Sequence, residues 1–272
     1  MPRYTASDGT KLYYLDEGQG LPLLALPGLT RNGGDFDHVA PHLPVRLIRP
    51  DYRGRGQSDW ADPASYDIAQ ETQDILALMD HLDLGQAAVL GTSRGGLIAM
   101  TMAVTAKDRL LGVALNDIGP EIADSGLDAI KAYVGMKPAQ KTYEEAAEFR
   151  ATAWTHFDAV PPERWLAEVR NHYIETENAL ELRYDPRLRD TVVAGLTQPV
   201  PDLWPVFDLF EGLPLALIRG ANSDLLTLAT ADEMSRRRPD MLRVDLAGRG
   251  HVPFLDEPEA LSVLYHWLEK LK

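Results

Sequence analysis

The segment GTSRGG at residues 91–96 decides the fold of this chain. It joins the apolar run Ala87–Leu90, a predicted strand, to the small-residue stretch Gly95–Ala106, a predicted helix. A serine flanked by glycines at such a turn is held in a tight bend that lifts its hydroxyl above the sheet, and larger residues in place of the glycines would clash with the neighbouring strand or helix. The helix N-terminus also favours negative charge that develops on a nearby oxygen. We therefore predict that Ser93 is a nucleophile.

Apolar strands alternate with helices on both sides of this segment. Continuous apolar runs, rather than alternating ones, are typical of strands buried on both faces of a parallel sheet. The predicted strands are Lys11–Leu15, Leu21–Leu26, Val45–Arg49, Ala87–Leu90, Leu111–Leu115, Pro214–Ile218 and Leu242–Leu246. The pattern predicts an α/β fold with a doubly wound, mostly parallel sheet.

The alternation breaks between residues 120 and 205, where the pattern shows amphipathic helices and no convincing strand. Two of these helices are predicted at Glu144–Phe157 and Glu163–Tyr173. We expect a helical cap at 120–205, inserted into a core formed by 1–119 and 206–272. Most aromatic residues of the insertion are expected to form its own small core, with a few lining a pocket; they are Tyr133, Tyr143, Phe149, Trp154, Phe157, Trp165, Tyr173 and Trp204.

Composition excludes several classes of function. The 272 residues carry 27 Lys and Arg against 41 Asp and Glu, a net charge of −14, which argues against binding to nucleic acid or to anionic membranes. Cysteine is absent, which excludes disulfides and thiolate chemistry. The first residues lack the apolar stretch of a secretion signal, and no run reaches the ~18 apolar residues of a membrane span. We expect a cytoplasmic protein that acts on a small molecule, and the oligomeric state stays open.

His251 is the expected general base among seven histidines. It lies in the loop directly after the last predicted strand, and sheets of this kind place active sites at the carboxyl ends of their parallel strands. An imidazole base needs a carboxylate to fix its tautomer. We expect Asp224, after the strand Pro214–Ile218, because it gives the chain order Ser–Asp–His. Asp117, at the end of the strand before the insertion, is the alternative.

The chain resembles serine hydrolases of the α/β-hydrolase fold with a helical cap, over essentially its whole length. Besides GTSRG, the segment DYRGRGQSD at residues 51–59 matches the D-x-R-G-x-G-x-S segment of these enzymes, and GHVPFLDEP at 250–258 matches their histidine loop and final helix start. The resemblance implies an oxyanion hole formed by the backbone N–H groups of Leu29 and Arg94. This chain has Pro27 in the loop before Leu29, where the family usually has histidine.

The resemblance implies hydrolysis of a carboxylic ester or lactone of a small to medium apolar substrate, through an acyl-enzyme on Ser93. A serine argues against the epoxide hydrolases and haloalkane dehalogenases of the superfamily, which use an aspartate there. Two alternatives stay open. One is a C–C bond hydrolase of the meta-cleavage-product type, which needs cationic cap residues, such as Arg150, Arg170 or Arg183, to hold a substrate carboxylate. The other is a non-catalytic ligand-binding relative. No cofactor or metal is expected, since neither a P-loop nor a dinucleotide fingerprint is present.

Overall fold

A central sheet of eight strands organises the molecule. The structure, a computed structural model, describes residues 2–196 and 201–272. Its strands in these ranges are β1 (Arg3–Thr5), β2 (Lys11–Gly18), β3 (Pro22–Leu26), β4 (Arg46–Pro50), β5 (Ala87–Thr92), β6 (Leu110–Asn116), β7 (Tyr173–Glu175), β8 (Leu180–Leu182), β9 (Leu215–Gly220) and β10 (Leu242–Leu246). The sheet order is β1-β2-β4-β3-β5-β6-β9-β10. The β1–β2 and β2–β4 pairs are antiparallel, and the remaining pairs are parallel.

Helices cover both faces of this sheet. They are α1 (Ile68–His81), α2 (Arg94–Thr105), α3 (Asp124–Tyr133), α4 (Tyr143–Ala153), α5 (Pro162–His172), α6 (Leu188–Leu196), α7 (Trp204–Asp208), α8 (Leu228–Arg237) and α9 (Pro258–Glu269). Side chains of β3 alternate between two apolar clusters: Leu24 packs in the cluster that contains α1 and α2, and Leu23 packs in the cluster that contains α9. Because both faces are covered, β3 is apolar throughout. The predicted doubly wound, mostly parallel α/β fold is confirmed.

The segment between β6 and β9 departs from the prediction at two places. One is the end of α4, which stops at Ala153 where the sequence predicted Phe157; the other is a hairpin. Between β6 and β9 the described residues form α3 to α7, but also the antiparallel hairpin β7–β8, where no strand was expected. Tyr173, predicted to end a helix, begins β7 instead. Strands of three residues are too short to show a period of two, so the pattern could not reveal them. Every helix of residues 2–196 and 201–272 is too short or too polar to cross a lipid bilayer.

Candidate active site

Ser93 lies at the strained turn between β5 and α2. Its φ of 50° and ψ of −112° place it in the left-handed half of backbone space. The crowding predicted for the flanking glycines is present: a β-carbon on Gly91 would lie 2.6 Å from the backbone of Gly95, and one on Gly95 would lie 2.2 Å from the carbonyl oxygen of Leu26. Backbone atoms of packed elements cannot move aside easily, so the turn requires glycine at both positions.

A continuous chain of hydrogen bonds joins Ser93, His251 and Asp117. His251 Nε2 lies 3.0 Å from Ser93 Oγ, and His251 Nδ1 lies 2.8 Å from Asp117 Oδ2. An ionised carboxylate can only accept hydrogen bonds, so Nδ1 carries the ring proton and Nε2 is free to accept the proton of the serine hydroxyl. The arrangement is that of a nucleophile, a base and an orienting acid.

Asp117 is fixed by two further donors, one on the last residue of β9 and one in the loop that follows it. The Gly220 N–H donates to Oδ1 at 2.8 Å, and the Ser223 hydroxyl donates to Oδ2 at 2.6 Å. The side chain is fully buried. A buried carboxylate that accepts several hydrogen bonds is held in one orientation.

The expected contact between Asp224 and His251 is wrong. β6 lies directly beside β5 in the sheet, so Asp117 at the end of β6 falls next to Ser93 and beneath the histidine loop. The loop after β9 turns tightly, with Ser223 N–H bonded to the Gly220 carbonyl, and sends the Ser223 hydroxyl to Asp117. Asp224 instead lines the cavity over the nucleophile.

The loop that carries Leu29 is held against the nucleophile. A β-carbon on Gly28 would come 3.9 Å from Ser93 Cβ, and Leu29 lines the same cavity as Ser93. Two buried side chains of the D-x-R-G-x-G segment tie this loop down by its carbonyls: Tyr52 donates its hydroxyl to Pro27 O at 3.0 Å, and Arg55 Nε donates to Leu29 O at 3.1 Å. Carbonyl groups fixed in this way restrict where the neighbouring N–H groups point.

Arg94 follows the nucleophile as the first residue of α2. Its side chain is engaged elsewhere, since Nε pairs with Glu71 Oε2 at 2.5 Å and Nη2 donates to the Tyr66 carbonyl at 2.9 Å. Glu71 is fully buried and also lies 2.9 Å from Arg55 Nη1. The Arg94 side chain is thus held away from Ser93, and the group of Arg94 to consider beside Ser93 is its backbone N–H.

A cavity of about 690 Å³ opens onto Ser93 and His251. Its walls come from the core and from the insertion, and they include α3, α4 and the hairpin. Of the eight aromatic residues considered from the sequence, the following line it: Tyr133, Phe149, Trp154, Phe157 and Tyr173. Trp165 and Tyr143 pack in the apolar cluster of the insertion, and Trp204 packs against the main core. Trp154, Phe157 and Tyr173 pack in the cluster of the insertion as well. Five of the eight aromatic residues thus belong to this cluster, as the sequence predicted for most of them, and three of the five also line the cavity.

Residues 23–262 match the profile of the Alpha/beta hydrolase family. The chain belongs to this family. It is 35% identical to a 3-hydroxybutyrate-oligomer hydrolase of Cupriavidus necator, over 89% of this chain and 86% of that protein. It is 26% identical to a 2-(acetamidomethylene)succinate hydrolase of Mesorhizobium japonicum, over 87% and 83% of the two chains. The crystal structure of an alpha/beta hydrolase from Novosphingobium aromaticivorans superposes with a TM-score of 0.93 at 34% identity, covering 99% of this chain and 97% of that one. The resemblance identified from the sequence motifs is confirmed.

A buried polar cluster joins the insertion of this hydrolase to the loop after β3, and sequence patterns gave no sign of it. Arg31 Nη1 donates to Glu168 Oε2 at 2.9 Å and also contacts His172 Nε2. Asn171 Nδ2 donates to Asp35 Oδ1 at 2.7 Å. Burial, together with the Arg31 charge, lowers the pKa of His172 well below its usual range, and burial raises the pKa of Asp35. The cluster connects α5 to the loop that carries Leu29.

Proposed function

We propose that this α/β hydrolase cleaves a carboxylic ester through an acyl-enzyme on Ser93. The observation that carries the proposal is the hydrogen-bonded chain from Ser93 Oγ through His251 to Asp117. Ser93 Oγ attacks the ester carbonyl as His251 Nε2 takes its proton, and the Asp117 carboxylate stabilises the imidazolium that forms. His251 then gives the proton to the departing alcohol, which leaves the acyl group on Ser93.

The backbone N–H groups of Leu29 and Arg94 are the proposed donors to the tetrahedral oxyanion. One such donor typically stabilises the transition state by about 3 kcal/mol. The negative charge also benefits from the N-terminus of α2, the helix that begins at Arg94. In the second half of the cycle a water molecule gives a proton to His251 and attacks the acyl carbon. The acid leaves, and the proton returns from His251 to Ser93 Oγ.

The cavity supports a small to medium substrate with an apolar segment. Its volume of about 690 Å³ falls within the usual range for small-molecule sites, and aromatic side chains form much of its wall. The relative from Cupriavidus necator is named for hydrolysis of 3-hydroxybutyrate oligomers, which are short-chain esters. We therefore propose a short-chain ester of a hydroxy acid as the substrate class. C–C bond cleavage stays the alternative activity, since it needs a cation to hold a substrate carboxylate and Arg150 lines the cavity.

The test compares hydrolysis of p-nitrophenyl esters of increasing chain length by the native protein and by Ser93→Ala. We expect kcat/KM to fall at least ~10³-fold in the variant. Ser125→Ala is a matched control, because this exposed hydroxyl binds the Asp224 carbonyl and takes no part in the proposed chemistry. Activity that survives in Ser93→Ala would contradict the assignment. A native protein that is inert on esters but cleaves a chromogenic dienoate ring-fission product would establish the C–C alternative, and inertness on both would favour a ligand-binding role.

A further inference from the structure

Arg150 is a buried cation that forms no salt bridge in the part of the chain that the structure describes. The carboxylates of Glu168 and Asp35 attract it from beyond salt-bridge distance, and both already pair with Arg31. Arg150 lies on α4, lines the catalytic cavity and is 7% exposed. No Asp or Glu of residues 2–196 and 201–272 comes within salt-bridge distance of it, and its Nη1 has no hydrogen-bond partner there. Its guanidinium lies over the rings of Trp154 and Tyr173, at 4.9 Å and 5.4 Å from their centroids.

The other arginines near the cavity or on the cap are already satisfied. Arg31 pairs with Glu168 inside the cavity wall. Arg170 is exposed and lies 3.7 Å from Glu144, and Arg183 donates to the carbonyls of Arg170 and Tyr173. Arg150 thus differs from Arg170 and Arg183, the two other cap arginines considered from the sequence, because both of those already have polar partners.

A buried, unpaired charge is costly, and natural proteins keep one where a ligand supplies the missing partner. Burial lowers the pKa of Arg150, because the charged guanidinium loses its contact with water. An arginine in a protein nevertheless remains charged. The planar guanidinium binds a carboxylate through two parallel N–H···O bonds, and flanking aromatic rings hold its plane. Much of the remaining wall is apolar, and its two other cations, Arg31 and Lys137, already pair with Glu168 and Glu181. The cavity therefore combines an apolar segment with a cation, Arg150, that forms no salt bridge among the described residues.

We propose that Arg150 binds a free carboxylate of the substrate, so that the hydrolase acts on esters that also carry an acid group. The inference deepens the proposed function and rests on ester hydrolysis at Ser93. It narrows the substrate class from short esters in general to acidic ones, such as half-esters of dicarboxylic acids or esters that join two hydroxy acids and leave one carboxyl group free.

The test uses pairs of substrates that differ only in this charge. Mono-p-nitrophenyl glutarate carries the acid on the acyl side, and its methyl ester is the neutral counterpart. The butyryl ester of 3-hydroxybutyrate carries the acid on the alcohol side, and its methyl ester is the neutral counterpart. We expect the native protein to prefer the acidic member of at least one pair by about 10- to 100-fold in kcat/KM, as a buried charged hydrogen-bonded pair would give. The pair that shows the preference tells on which side of the ester the acid lies.

Arg150→Gln should lower kcat/KM on the acidic esters at least tenfold more than on their neutral counterparts, chiefly through KM. Arg150→Lys should restore part of the preference for the acidic esters, because the charge remains while the paired geometry is lost. Arg170→Gln makes the same charge change on the exposed surface of the cap and should leave the preference unchanged. Equal losses on acidic and neutral esters in Arg150→Gln, or a native protein with no preference in either pair, would overturn the proposal.

A binding measurement separates this inference from the proposed function. In the Ser93→Ala background, glutarate should raise the Tm, and adding Arg150→Gln should abolish that increase. Arg150→Gln alone should keep or raise the Tm, because it removes an uncompensated buried charge. Stabilisation by glutarate in a protein that hydrolyses no ester would refute the ester chemistry and keep the Arg150 site. Stabilisation that is equal with and without Arg150 would refute the site alone.

Discussion

His251 Nδ1 lies 2.8 Å from Asp117 Oδ2, although 134 positions separate the two residues in the chain. The contact arises from strand order, since Asp117 directly follows β6 and Ser93 directly follows the neighbouring β5. His251 follows β10 and reaches back over both strand ends. Ser93 and Asp117 are therefore placed by one pair of adjacent strands.

Asp117→Asn should reduce kcat about 10⁴-fold, because an amide in place of the carboxylate favours the wrong tautomer of His251 and cannot stabilise its charged form. Asp224→Asn, the matched control from the cavity wall, should stay within tenfold of the native value. Steady-state kinetics on the best p-nitrophenyl ester, together with unfolding curves, measures both variants. A larger loss in Asp224→Asn than in Asp117→Asn would assign the acid to Asp224 after all.

Gly95→Ala should destabilise the fold by about 3 kcal/mol or more, because its β-carbon would lie 2.2 Å from the Leu26 carbonyl oxygen. Gly85→Ala is the matched control, since its β-carbon meets nothing within 4 Å and its φ is not positive. That change should be neutral or stabilise by up to about 1 kcal/mol. Urea unfolding measures both free energies. Equal stabilities would mean that the elbow can relax, contrary to the packing described.

Tyr52→Phe should lower kcat several-fold and the free energy of unfolding by about 1 to 2 kcal/mol, because the carbonyl of Pro27 loses its donor and the loop before Leu29 gains freedom. Tyr4→Phe removes a comparable buried hydrogen bond, to Asp74 O at 3.0 Å, whose acceptor lies on α1 and not on the loop before Leu29. It should cost similar stability and leave kcat unchanged. A fall of kcat in both variants would trace the effect to stability rather than to the position of the loop.

His172→Gln should flatten the dependence of stability on pH below about 6.5. The buried His172, whose pKa is lowered by burial and then by Arg31 and Arg150, stays neutral in the folded protein, whereas the unfolded chain takes up a proton near its ordinary pKa. Folding stability from this group is therefore present above pH ~6.5 and is lost as the pH falls, by at most about 1.4 kcal/mol per pH unit. Glu168 and Asp35 also face the ring and oppose this effect in part.

Unfolding free energies between pH 5 and 8 measure the difference between the native protein and His172→Gln. His266→Gln, on the exposed face of α9, is the control and should follow the native curve. A native curve that is no steeper than that of His172→Gln below pH 6.5 would contradict the prediction.

Sequence reasoning reached the sheet, the turn at Ser93 and the loop of His251 because each has a local signature: a buried apolar run, a crowded pair of glycines, a polar loop after a strand. Sequence reasoning ranked Asp117 behind Asp224 as the partner of His251, because the chain order Ser–Asp–His is satisfied by both aspartates. Only the sheet order β5-β6-β9 separates the two, and no local pattern contains it. Likewise, the isolation of Arg150 depends on what lies around it in space, which no spacing along α4 reveals.

The groups that hold Asp117 have a consequence for how this protein could diversify. The Gly220 N–H and the Ser223 hydroxyl, like His251 itself, belong to residues outside the 120–205 segment, whereas Arg150 and most of the aromatic wall belong to it. Changes in that segment could alter which molecules are admitted and leave the proton-transfer chain in place. Mutational libraries confined to 120–205 that spare Glu168, Asn171 and His172, the residues that contact the loop after β3, should thus yield new substrate specificities and keep the chemistry. Related proteins could change their substrates in evolution by the same route.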